Sequence, residues 1–181
     1  MISIFLMHQI TINNTIIDLF IGDLTKIEHD ALVIPTNSRL LPSGNVRCNV
    51  LRSAGSTVQV ECNKIISEMA NIPIGHAVIT SGGNLDVKFI IHARSGHDQK
   101  KLMLAVWNSM KLADEKGLIS IIFPPISKDV LGFTTQLSAK IMIPTIKKFL
   151  TEKKKHLQKV SICLETLPDY KEFEKVLSDG L

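Results

Sequence analysis

The chain is poor in the residues that build covalent staples and metal centres. Its three cysteines, Cys48, Cys62 and Cys163, are odd in number and lack CxxC or histidine-paired spacing. They therefore read as small buried hydrophobes in a reducing compartment, with no zinc site and no cofactor expected. Charged residues amount to only 21% against 45% hydrophobic, which excludes a disordered chain. The net charge of +4 suits an anionic ligand, but Lys and Arg are interspersed with Asp and Glu, so no nucleic-acid-binding signature emerges. The apolar stretch from Met1 to Met7 is too short to cross a bilayer and lacks a basic flank and a cleavage site. A cytoplasmic location without a membrane partner is the expectation. Gly82-Gly83 is not followed by a helix with GxGxxG spacing, so a Rossmann dinucleotide site is unsupported.

What the chain does have is a regular alternation of strand and helix signals over 181 residues, enough for one domain with a sizeable core. Met1 to Gln9 reads as an extra edge strand, or as a mobile extension if synthesis starts at Met7. The organising stretch is Ala31 to Gly55, a buried strand to Pro35, a polar loop with Asn37, Ser43, Gly44 and Asn45, and a helix from about Val46. A strand passing through such a loop into a helix gathers free N–H groups and the positive helix end, where an anion can sit. An ordinary capped connection is the alternative. Gly22-Asp23-Leu24-Thr25 follows the strand Thr15 to Ile21, and Asp23 can cap a helical turn or accept hydrogen bonds from a ligand amine.

Further on, Ser56 to Met69 is helical, and Ala77 to Thr80 and Phe89 to Ala93 are strands joined through a turn. His92 in the second reads as a core or strand-end histidine. Lys101 to Lys116 is an amphipathic helix in which Trp107 serves packing. Leu118 to Pro124 is almost wholly apolar, as a central strand covered on both faces must be. Helices from Thr135 to Leu150 and Pro168 to Leu177 flank a last strand, Val160 to Leu164. The tract Lys153-Lys154-Lys155-His156 suits the negative end of the preceding helix. The sum is an α/β chain, a three-layer α/β/α sandwich on a mixed, mostly parallel sheet. The loops after Ala31 to Pro35 and Leu118 to Pro124 are the expected walls of one cleft.

Gly22-Asp23-Leu24-Thr25, ALVIPTN with Asn37, LLPSGNV, Leu51-Arg52-Ser53-Ala54-Gly55, PIGHAVIT, Phe89-Ile90-Ile91-His92 and IIFPPIS, in that order, resemble a macrodomain from Ile16 to Leu177. The resemblance implies binding of ADP-ribose or related ADP-ribosyl groups, and in some members hydrolysis of that group. Asp23 matches the family's acceptor for the adenine amine, and Leu24 its neighbour along the adenine. Asn37 matches the last asparagine of NAAN at the distal ribose. Ser43, Gly44, Asn45 and Val46 fall on the glycine-rich loop, and Ser127, Lys128, Asp129, Val130, Leu131, Gly132 and Phe133 on the diphosphate loop.

The departures from the family pattern bear on activity. Arg47 stands where the family commonly has the aspartate implicated in hydrolysis, and a guanidinium cannot act as a general base. Arg47 could instead pair with phosphate, or face solvent in the first helical turn. Asp129 replaces a glycine of the diphosphate loop, while Leu131 and Glu165 replace aromatics. Three readings follow. The first is a binding module for ADP-ribose or a related adenine nucleotide; ADP-ribosylated protein or RNA is the wider partner class. The second is an ADP-ribosyl hydrolase or ADP-ribose phosphate phosphatase using other residues. The third is a scaffold turned to nucleic-acid or protein partners.

Overall fold

A computed structural model describes residues 5–126 and 133–179. Seven strands form one sheet in the order β1-β2-β7-β6-β3-β5-β4. These are β1 (Phe5–Ile12), β2 (Thr15–Ile21), β3 (His29–Pro35), β4 (Ala77–Ser81), β5 (Val87–Ala93), β6 (Ser120–Phe123) and β7 (Lys159–Leu164). The five inner strands run parallel, and β1 and β4 close the two edges antiparallel. The Asn13-Asn14 pair turns β1 into β2 with both residues at positive φ (46° and 60°), a conformation asparagine tolerates. The apolar run after Leu118 supplies β6, at the centre of the seven, and its Ile121, Ile122 and Phe123 are fully buried.

Among the described residues five α-helices complete the layers: α1 (Asn45–Ala54), α2 (Ser56–Met69), α3 (Gln99–Glu115), α4 (Thr135–Glu152) and α5 (Leu167–Ser178). The strand period of two divides the core between the sheet's faces. On one face Ile17, Leu19, Ala31, Val33, Ile121 and Ile162 pack against α3, α4 and α5. On the other, Phe20, Leu32, Ile34, Ile90 and Ile122 pack against α1 and α2. The mixed α/β/α sandwich expected from the alternation is the fold observed. Trp107 is a packing residue, edge-on to Phe149 with ring centroids 5.1 Å apart. No helix of the described residues is long and apolar enough to cross a membrane.

Two devices, one local and one between distant parts of the chain, fix the frame. Gly55, at φ +86°, both ends α1 and starts α2, with its N–H donated to Leu51 O. The buried carboxylate of Asp114, at the end of α3, accepts the backbone N–H groups of Lys155, His156 and Leu157 at 2.8–3.0 Å. The lysine tract is therefore moored to α3 as it turns into β7. Lys154 also donates through Nζ to Asn13 O at the β1–β2 turn.

Candidate functional site

The carboxyl ends of β2, β6 and β7 open onto a cavity of about 270 Å³. Ligands bind at such a place in open parallel sheets, because the chain leaves each strand there and diverging loops part. Gly22 to Thr25 form one wall, Val46, Asn49 and Val50 of α1 a second, and Pro124-Pro125 after β6 a third. Cys163 and Glu165 at the end of β7 complete the lining. Gly22 donates its N–H to Leu164 O at 3.1 Å, so the β2 and β7 exits lie side by side.

Asp23 caps a 3-10 turn over Leu24–Lys26. Its Oδ1 accepts the backbone N–H of Thr25 at 2.9 Å and the Thr25 hydroxyl at 2.7 Å, and its Oδ2 lies 3.4 Å from Lys26 Nζ. The Thr25 hydroxyl chiefly holds its carboxyl below the usual carboxylate range. Asp23 thus serves as a cap and also lines the cavity as an ionised, acceptor-only group. Glu165, which leaves the neighbouring strand and lines the same cavity, is exposed, where the family pattern has an aromatic. Burial pushes the Cys163 thiol up to about 12, so this lining sulfur stays protonated.

The loop after β3 is stitched to itself. Asn37 Oδ1 accepts the N–H groups of Arg39 and Leu41, both at 3.1 Å, while Nδ2 donates to Leu41 O and Ser43 Oγ, both at 2.9 Å. Gly44 follows at φ +66°, with open space where a Cβ would stand, and α1 starts there without a side-chain cap. Asn37, Ser43, Gly44 and Asn45 are not among the residues that line the cavity; Val46, directly after Asn45, is.

Arg47 corrects the sequence reading. It does not face solvent from the first helical turn, nor is it free to reach a phosphate: it is 1% exposed and turned inward. Nε donates to Leu41 O at 2.9 Å, one terminal nitrogen to Leu40 O at 2.5 Å, and the other to His92 Nδ1 at 2.8 Å. Arginine only donates, so His92 Nδ1 must accept and the ring proton sits on Nε2, which lies 2.9 Å from Thr80 Oγ1. Burial, then the neighbouring guanidinium, holds His92 well below its ordinary 6.5. His92 is a satisfied, neutral core histidine. What placed Arg47 at the surface was the habit of its residue type, which burial with three acceptors overrides.

Of the diphosphate-loop candidates, Ser127 to Gly132 lie outside the described residues. The Phe133 side chain is buried and packs in the core on the α3–α5 face, so only its backbone is left for a ligand. Asn49, Val50 and Cys163 escaped the sequence reading. Asn49 and Val50 stand three and four residues beyond Val46, on one face of α1, a spacing visible once the helix start is fixed. Cys163 is found only through the pairing Phe20↔Cys163. Among the described residues no group of His, Cys, Asp and Glu could hold a metal ion.

Known proteins carry the same pattern. The family model of the Macro domain matches residues 33–142. The chain is 38% identical over 137 residues to an O-acetyl-ADP-ribose deacetylase of Escherichia fergusonii, covering 72% of this chain and 77% of that one. The Oceanobacillus iheyensis macrodomain with ADP superposes with a TM-score of 0.90 at 28% identity, over 96% of both chains. The Trypanosoma brucei macrodomain in complex with ADP-ribose matches with a TM-score of 0.83 at 26% identity, over 90% of this chain and 69% of that one. With the sheet order, the cavity at its carboxyl edge and the matched residues in agreement, this chain belongs to the macro domain family.

Proposed function

We propose that this macro domain binds ADP-ribose or a related ADP-ribosyl or adenine nucleotide, and does not hydrolyse it through the position of Arg47. The observation that carries the reading is the cavity between Asp23 and α1, with an ionised carboxylate at the one end and the uncapped start of a helix beside the other. An exocyclic amine is a donor and suits Asp23; phosphate oxygens are acceptors and suit helix-terminal N–H groups. The solved neighbours with ADP and with ADP-ribose support this ligand class. Against hydrolysis stands the charge at position 47: a buried guanidinium with three partners takes no proton from water.

The deacetylase relative supports a second, enzymatic reading, in which another group would have to activate water. Calorimetric titration with ADP-ribose, AMP and a short oligoadenylate separates the readings, together with incubation of the protein with O-acetyl-ADP-ribose. Micromolar or tighter binding of ADP-ribose over AMP, with no product formed, is the expected result. Replacing Asp23 by Ala should weaken both ADP-ribose and AMP by about tenfold, a hydrogen bond to a charged acceptor being worth about 1.5 kcal/mol. Full ADP-ribose affinity in Asp23→Ala would refute the adenine contact, and turnover of the acetyl ester would favour the enzyme.

A further inference from the structure

Arg47 is a cation held in the interior with no carboxylate against it among the described residues. Its three acceptors are two carbonyls and a neutral imidazole. Cys62 is another titratable neighbour, and burial pushes that thiol up, so it stays protonated and does not neutralise the guanidinium. Arg47 belongs to the first turn of α1, whose end is the positive one and where no acidic residue occurs, and its guanidinium is held by the loop that leads into that turn. A helix start ordinarily gathers acids; this one has a buried cation and a glycine cap without a side chain. Two positive contributions therefore add at one place.

The same side chain sets the backbone above it. Leu40 is fully buried at φ +56°, a left-handed conformation disfavoured for leucine, and its carbonyl is the one that Arg47 grips at 2.5 Å. The next carbonyl, Leu41 O, receives both Arg47 Nε and Asn37 Nδ2. Asn37 from within and Arg47 from beneath thus fix one loop from two sides, and His92 ties Arg47 to Thr80 on β4.

We infer that Arg47 is a positioning and specificity-determining residue: it locks the Asn37 to Gly44 loop from beneath, and its unneutralised buried charge makes the adjoining site favour ligands by their negative charge. This rests on the nucleotide-binding reading above. Arg47 touches no ligand; it acts through the loop it holds and the field it adds. An anion at the start of α1 relieves the crowding of positive charge that the unliganded protein carries there. Neutral adenosine would gain nothing from that relief, whereas ADP and ADP-ribose would.

The test compares adenosine, ADP and ADP-ribose on the wild-type protein, Arg47→Met and Arg47→Lys, by calorimetry with thermal unfolding run in parallel. Met keeps the reach and loses the charge, and Lys keeps the charge and loses the fork. For Arg47→Met, ADP and ADP-ribose should weaken on the order of tenfold while adenosine changes less than about threefold. Lys should keep the preference for anions while losing affinity overall. An equal loss for all three ligands in Arg47→Met would leave only a structural role and overturn the inference. Should the Met variant not fold, Arg47→Gln, which also removes the charge but keeps polar donors for the carbonyls, decides by the same comparison: ADP and ADP-ribose must weaken more than adenosine, and an equal loss refutes it. Failure of every ligand to bind the wild type would instead sink the nucleotide-binding reading itself.

Discussion

Replacing Glu165 by Phe should tighten nucleotide binding. Glu165 lines the cavity at the end of β7, together with Asp23 and Leu24 from the exit of β2, and places a carboxylate where an aromatic ring could lie along a base. Stacking of a base on an aromatic side chain is worth about 1–3 kcal/mol. The side chain at this position is exposed, so the low end of that range applies, about 1 kcal/mol or roughly a fivefold lower Kd. Losing the carboxylate removes a repulsion that acts on the phosphates and not on the base. AMP and ADP-ribose should therefore both gain, ADP-ribose slightly more, and ribose 5-phosphate should gain only the electrostatic part. Calorimetry of the three ligands on wild type and Glu165→Phe measures this. The prediction is of a gain, so unfolding cannot mimic it. An unchanged AMP affinity in a folded variant would mean that the base does not lie between Asp23 and β7, and the placement of adenine would have to be abandoned.

Two further predictions concern the frame. His92 and His29 both have folded-state values depressed by burial, so below about pH 6.5 the unfolded chain binds protons that the folded chain does not. The stability they lend is full above that pH and is lost as pH falls; His92 alone should cost about 1.4 kcal/mol at roughly pH 5.5 relative to pH 8. Urea unfolding at the two pH values checks it, and a flat profile would contradict the buried, neutral imidazole. Gly83 has φ +58°, and a Cβ there would stand 2.1 Å from Ala54 O, so Gly83→Ala must move backbone. We expect a loss of more than about 2 kcal/mol in thermal or denaturant unfolding, and a loss below half of that would show that the turn yields easily.

The architecture was legible because it depends on period. LISIIFP can only be a strand covered on both faces, and Asn13-Asn14 and Gly55 punctuate the chain with residues suited to their backbone conformation. Asp23 was legible as a cap or a ligand group because short acidic residues after a strand do both, and in the structure it caps while lining the cavity. The environment of Arg47 was not legible. Its partners are the carbonyls of Leu40 and Leu41 and the ring of His92, and sequence carries no mark of a carbonyl that bends inward or of a histidine far along the chain. Cys163 was hidden for the same reason: it reaches the cavity only through pairing of β2 with β7, a register that nothing local encodes.

The cavity's walls come from Gly22 to Thr25, from α1, from Pro124-Pro125 and from Cys163 and Glu165, so that nearly the whole chain separates the first wall from the last. During synthesis the two edge hairpins, β1 with β2 and β4 with β5, can close early through local contacts. The cavity cannot, because β7 must slide between β2 and β6 before its fourth side exists. A nucleotide is therefore a witness to completed folding: it rewards only the finished insertion of β7, and at a hundred times its Kd would add about 2.7 kcal/mol to that last step. Truncated or stalled chains would be recognisable by their failure to hold it.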